Sequence, residues 1–312
     1  MARRTEHRKR HRTKRNIYNR NDKTDLFVKE GIGTAVTTAA GDSYLGAYAL
    51  ALGADDRFIG EFSAIPALIS SVLQLLSSKL FHKRKLVVVG GVALSLLVWM
   101  GIVLLTAMPT QNALTLLMIY VIVYTSIKGI VAPLWASWFG DYLNRSTLGE
   151  IVGKRDAVVS TVSAVISVGA GYFLTLFDQT NVLVGFAVLF SLAALGRFMS
   201  LVYLMKIPEN PVPEGFTNIK TSEPKRVQSS KRNSTQMKNN TLTQTKHKHR
   251  VRLFLIYASL LFLVVTIASP FFIIYELKIL KLTYLQYGAL ILTSALSRYF
   301  SSKYWGNMID KY

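Results

Sequence analysis

The chain has 312 residues, 51% of them hydrophobic, a formal net charge of +20 and no cysteine. The missing cysteines exclude disulfides, thiolate metal sites and a cysteine nucleophile. The pI near 10.1 is compatible with nucleic-acid binding, but the charge lies outside long apolar runs, which makes that the weaker reading.

Residues 1–30 hold eleven Lys or Arg and four acids with no apolar periodicity. They read as a disordered basic cytoplasmic tail with secondary attraction to anionic lipid, and not as a signal peptide. Eight apolar spans follow, each near the ~20 residues that cross a bilayer. Span one, Ile32–Gly53, carries Asp42, which shares a helical face with Thr34 and Thr38 at i, i+4, i+8 spacing. Span two, Ile59–Leu76, contains Pro66 and leads into the basic connector SSKLFHKRK.

Spans three and four anchor the reading. Leu86–Ala107 has no charge, Ala113–Phe139 has only Lys128, and just MPTQN separates them. Span five, Ala157–Phe177, carries a stripe of small residues, Ser163, Ser167 and Gly171, that lets another helix approach closely. Span six, Val182–Met205, holds Arg197 near its far end. A polar linker runs to Arg250, and spans seven and eight, Leu253–Tyr275 and Tyr284–Tyr304, follow.

With the N-terminus inside, the inner segments hold 29 Lys or Arg and the outer segments 3. The positive-inside rule therefore predicts a multi-pass protein of the cytoplasmic membrane with both termini cytoplasmic. The predicted domains are a tail, 1–30; a six-helix bundle, 31–206; a linker, 207–250; and a partial second bundle, 251–312. Signatures of ATP-binding loops, zinc proteases and serine hydrolases are absent, and no enzyme, cofactor or metal site is expected. The HKHR run at His247–Arg250 reads as a solvated basic face.

Between spans four and five lies WASWFGDYLNRSTLGEIVGKRD, with Trp135, Trp138, Asp141, Arg145, Gly149, Gly153 and Arg155. After span eight come Gly306, Asp310 and Lys311 in a G-x-x-x-D-R/K pattern. These loops, with six spans followed by a basic linker, resemble the major facilitator superfamily of secondary transporters, in its prokaryotic permease branch. The resemblance implies an all-α polytopic bundle: a complete six-helix half plus the first two helices of a second. It also implies solute transport by alternating access, with protons as a candidate coupling ion. The copy of the G-x-x-x-D motif due after span two is absent. The family usually has twelve spans, so the expectation is a truncated or split carrier, with a second chain supplying the rest as one alternative. A membrane-tethered lipid or nucleic-acid binder is another.

The candidate solute or ion site is Asp42, Thr38, Tyr120, Tyr124, Lys128 and Arg298. An intramembrane charge usually faces an aqueous cavity or a partner, and Asp42 is suited to carry a proton or bind a cationic solute. Tyr120, Tyr124 and Lys128 share one face of span four. At ~1.5 Å per residue, Asp42 lies roughly 15 Å and Lys128 roughly 8 Å from the inner boundary. Two readings of Lys128 stand: an ion pair with Asp42, or snorkelling to the interface, with the balance towards snorkelling. Arg197 also reads as snorkelling. Asp141, Arg145, Arg155, Gly306 and Asp310 are gating residues by resemblance. The solute stays unnamed.

Overall fold

The computed structural model describes residues 24–108, 111–143, 148–177, 181–208 and 234–311. Among them the secondary structure is helical throughout. Helix α1 covers residues 24–40, a 3-10 turn follows at Asp42–Tyr44, and α2 is Leu45–Ala51. Then come α3 (Asp56–Gln74), a 3-10 stretch (Leu75–Lys83), α4 (Arg84–Ala107), α5 (Ala113–Gly140), α6 (Leu148–Phe177) and α7 (Val182–Lys206). Helix α8 is Ser234–Ile274, a π-helical turn spans Tyr275–Ile279, and α9 is Tyr284–Lys311.

Five segments of the described residues are long and apolar enough to cross a membrane: Asp56–Ala107, Ala113–Gly140, Gly149–Phe177, Val182–Lys206 and Val251–Ile279. The first holds both α3 and α4, since the basic connector continues as 3-10 helix instead of breaking the chain. Spans one and eight, predicted from the sequence, are helical over most of their length but fall short of that apolar measure. Glu30 and Asp42 interrupt the first stretch. Gln286, Arg298 and a run of Ser and Thr dilute α9. Helix α1 begins at residue 24, inside the stretch assigned to a disordered tail.

The chain divides into two compact units. One comprises Met1–Asn210 and Ile273–Tyr312, the other Pro211–Phe272. In the second, the long side chains from Val251 to Val265, such as Phe254, Leu261 and Phe262, are exposed. An apolar helix with that surface needs lipid or another helix around it.

In the first unit α5 packs on α3 and α4, α4 packs on α7, and α6 packs on α9. Small residues set the closest approaches. A Cβ on Gly33 would lie 2.6 Å from the Gly196 carbonyl oxygen, and one on Gly196 would lie 2.7 Å from that of Gly33, so α1 and α7 touch backbone to backbone. Ser167 and Gly171, from the predicted small-residue stripe, meet α9 at Gly288. A Cβ on Gly171 would stand 2.4 Å from the Tyr284 carbonyl oxygen.

Two apolar clusters result. One gathers Tyr44, Tyr48, Trp99, Tyr124, Phe186 and Phe190. The other surrounds Phe27, whose ring lies 4.8–6.1 Å from those of Trp135, Trp138, Phe139 and Tyr142. The tryptophan pair that carried the family resemblance is thus half of an aromatic box for Phe27.

Candidate functional site

Three groups of at least partly buried charged side chains lie among these helices. The first depends on the break after α1. Gly41 is pressed so hard on α4 that a Cβ would stand 2.3 Å from Cη2 of Trp99, and only glycine fits. The helix stops there, the Ser43 hydroxyl donates to the Thr38 carbonyl oxygen (3.0 Å), and Asp42 projects from a 3-10 turn. The single helical face expected for Thr34, Thr38 and Asp42 is therefore interrupted. The site uses the irregularity, since backbone unwound inside a bundle is tolerated where it is buried or lines a cavity.

Lys128 on α5 donates to Asp42 Oδ2 at 2.7 Å. The pairing reading holds, and the snorkelling that the sequence balance favoured is corrected. A lysine so placed has a carboxylate within direct reach on the neighbouring turn. The Lys128 ammonium also lies 5.0 Å from the centre of the Tyr124 ring, within cation–π range. Its side chain stays 49% exposed, so the pair faces out of the packed core. Asp42 Oδ1 is buried with no hydrogen-bond partner.

Arg197 on α7 completes this group. It does not snorkel: the residue is 7% exposed and donates from Nη2 to the Tyr124 hydroxyl at 2.8 Å. Its guanidinium carbon sits 5.7 Å from the same ring. The Arg197 Nε has no partner. Trp99 meets Tyr124 edge-on at 5.5 Å and Phe190 at 5.7 Å, closing the apolar side.

The second group lies nearer the start of α1. Glu30 is buried and fully engaged. Its Oε1 accepts from Thr34 (2.7 Å) and Ser200 (3.1 Å), and its Oε2 faces Arg155 Nη2 at 3.2 Å. Arg155 lies 4.6 Å over the Trp135 ring and donates to the Phe27 carbonyl oxygen. In the third group Arg84, buried at the start of α4, pairs with Asp141 and donates to the Ser137 hydroxyl at 3.4 Å.

The structure therefore brings together Asp42, Tyr124 and Lys128 of the predicted residues. Tyr120 covers Gly101 of α4, where a Cβ would meet its ring at 2.7 Å, and is a packing residue. Thr38 is half-buried and offers its carbonyl to Ser43. Arg298 is exposed on α9. Arg145 lies outside the described residues. Gly306 and Asp310 fall in the last turns of α9, and their side chains lie outside the described set. Residues 1–23 and 209–233, most of the basic tail and linker, are also outside it.

Sequence reasoning missed Glu30, Ser200 and Arg84 and misread Arg197. One signal was available for Arg197. It follows Gly196, and a glycine inside a span marks a close helix approach, which leaves little room for a long side chain to climb to the interface.

The two described cavities lie elsewhere, between α6 and α9. One of about 670 Å³ is lined by Glu150, Lys154, Thr161 and Tyr299, and one of about 590 Å³ by Ser160, Ala164, Leu292 and Phe300. The two helices run antiparallel. The larger cavity lies beside the Glu150–Tyr299 end, and the two backbones meet at Gly171–Gly288. At the closed end the Asp42 turn is clamped. Tyr44 donates to the Ser167 carbonyl oxygen of α6 (2.9 Å), and Tyr287 of α9 donates to the Ser43 carbonyl oxygen (2.8 Å).

Compared with known proteins, residues 31–312 match the family model described as Major Facilitator Superfamily. No curated protein and no solved structure matches the chain.

Proposed function

The chain belongs to the major facilitator superfamily, membrane transporters of small solutes, and from that premise we propose that it is a secondary transporter working by alternating access, with proton coupling through Asp42. The observation that carries this reading is the Asp42–Lys128 pair. It is formed at 2.7 Å between the turn that follows α1 and the apolar helix α5, yet it is left half-open with one carboxylate oxygen unmatched. A charge at mid-span costs about 2.5–3.5 kcal/mol on insertion scales. Packing alone gives no reason to keep two there.

A proton arriving on Asp42 discharges the carboxylate and releases Lys128, so occupancy by a proton and by solute are linked through one bond. The clamp on the neighbouring residues supports a link to gating. Separating α6 from α9 withdraws Tyr287 from Ser43 and Tyr44 from Ser167, which frees the turn that carries Asp42. The cavity beside the Glu150–Tyr299 end of α6 and α9 supports access from that end. By the excess of cationic residues, that end is the cytoplasmic one. The Arg84–Asp141 and Glu30–Arg155 contacts hold the helices at the same end and are the gating contacts of this reading.

The test is uptake into proteoliposomes under an imposed pH gradient, wild type beside Asp42→Asn. Gradient-driven accumulation in the wild type, reduced to passive exchange in Asp42→Asn, is the expected result. Equal gradient-driven flux in both removes Asp42 from coupling.

A further inference from the structure

The sequence reading allowed Asp42 to attract a cationic solute. The assembled site argues for the opposite charge. We infer that the Asp42–Lys128–Arg197 site takes a small organic monoanion, a monocarboxylate, held between Arg197 and Lys128. The inference rests on the transport reading above and names its substrate class.

Charged side chains reach the site from three elements. The 3-10 turn contributes Asp42, α5 contributes Lys128, and α7 contributes Arg197. Trp99 from α4, Ser167 from α6 and Tyr287 from α9 contribute no charge. Two cations therefore face one carboxylate. Asp42 and Lys128 answer each other, and Arg197 is left over. Among the described residues no acid lies within ion-pair distance of it. Its hydrogen bond goes to a neutral phenol, and its Nε is unmatched.

At 7% exposure a guanidinium without a counter-charge is an expensive arrangement. The expense is understandable where the counter-charge is the ligand. The planar fork of arginine fits a carboxylate in two-point contact, which lysine alone cannot offer. Beside the charges Trp99, Tyr124 and Phe190 are buried against one another, so the apolar side of the site is a closed aromatic floor and Lys128 marks its open side.

The geometry also assigns a role to Asp42. It is a competitor for Lys128 and no part of the anion's binding surface. This fixes the sign of a substitution. Removing the Asp42 charge tightens binding of an anion and abolishes binding of a cation.

The experiment measures the thermal unfolding midpoint of the detergent-purified full chain, titrated with sodium acetate, lactate or benzoate at constant ionic strength. Choline chloride and glycine are the controls. Reading each shift against the same variant without probe keeps less stable variants informative. A saturable rise with at least one carboxylate and none with choline or glycine is expected. Arg197→Gln weakens it roughly tenfold or more, as loss of a charge-assisted hydrogen bond does. Arg197→Lys restores part of it, and Asp42→Asn strengthens it. The inference is overturned if choline or glycine binds as tightly as the carboxylates. It is overturned equally if Arg197→Gln leaves carboxylate affinity unchanged, if Asp42→Asn abolishes it, or if no carboxylate gives a saturable response. Binding without flux in proteoliposomes sinks the transport reading and leaves the anion site. Flux of a neutral or cationic solute does the reverse.

Discussion

Glu30 and Asp42 both stand near the start of the folded chain, and both meet a cation from a distant helix. They are held very differently. Glu30 has Arg155, Thr34 and Ser200 on its two oxygens, and the pair is 6% and 14% exposed. Asp42 has Lys128 on one oxygen and nothing on the other, and Lys128 is half in the open. A sealed ion pair holds helices together, because both carboxylate oxygens are answered and nothing can enter. An unsaturated pair with an open side leaves its half-exposed Lys128 within reach of a visitor. The contrast separates scaffold from site more sharply than charge or membrane depth does.

The largest expected effect comes from breaking the sealed pair. Arg155→Ala leaves Glu30 charged and buried, which costs about 3–5 kcal/mol. It also strips the guanidinium from the Trp135 face. The unfolding midpoint of the detergent-purified protein should fall steeply, with Glu30→Gln in the same chain recovering part of the loss. Lys128→Ala is the matched control. Its pair is partly exposed, so the stability cost is about 1 kcal/mol or less, while carboxylate binding disappears. If the two substitutions destabilise equally, the distinction between scaffold and site is wrong.

The glycines come next. Gly171→Leu drives a side chain into the Tyr284 carbonyl of α9, where a Cβ alone stands 2.4 Å away. Overpacking of this kind costs about 1–3 kcal/mol. Since the chain has no cysteine, paired cysteines at Thr175 and Leu285 can report the contact directly. The Leu285 amide donates to the Thr175 hydroxyl at 3.0 Å. Cross-linking should be efficient in the background chain and fall several-fold with Gly171→Leu. Gly41→Ala meets Trp99 and the Thr37 carbonyl in the same way. It should displace the Asp42 turn and weaken carboxylate binding at a stability cost of about 1–3 kcal/mol. Unchanged binding would show that the turn does not depend on the Gly41–Trp99 contact.

Much of the scaffold was legible because a bilayer imposes a simple length and polarity rule. Leu86–Ala107 and Ala113–Phe139 could hardly have been anything else. The family signature was equally plain at Trp135, Trp138 and Asp141. The partners were less legible, because a pair such as Glu30 with Arg155 joins residues 125 apart. Local pattern carries no distance information over that range, and Glu30 looked like the last residue of a charged tail. Lys128 and Arg197 were drawn towards snorkelling by a rule written for helices alone in lipid. In a bundle, a carboxylate or a phenol on the neighbouring helix is a closer place for the charge. The break at Gly41 was hidden because its cause is the Trp99 ring on α4, which no window around Gly41 contains.

The smallest expected effect lies at the opposite end of α3 from the Arg84 and Glu30 groups. There Asp56 pairs with Lys278 of the π-helical turn at 2.6 Å, with side chains 61% and 54% exposed. An exposed pair of this kind is worth about 0.2–1 kcal/mol and is weakened by salt. Asp56→Asn should therefore leave the unfolding midpoint almost unchanged. It touches neither the Asp42 group nor the Glu30 group, so carboxylate affinity within a single conformation should not move either. What can move is the balance between conformations, since the pair joins α3 to the chain entering α9 at the end where α6 and α9 are closed. A bond worth up to about 1 kcal/mol shifts a two-state population at most about fivefold. The readout is Thr175–Leu285 cross-linking in Asp56→Asn, expected to fall by up to that factor at low ionic strength and to match the parent at high salt. A fall much larger than fivefold, or one insensitive to salt, would mean that the pair does more than an exposed charge can, and that the closed end is held chiefly there instead of by the Gly171–Gly288 contact.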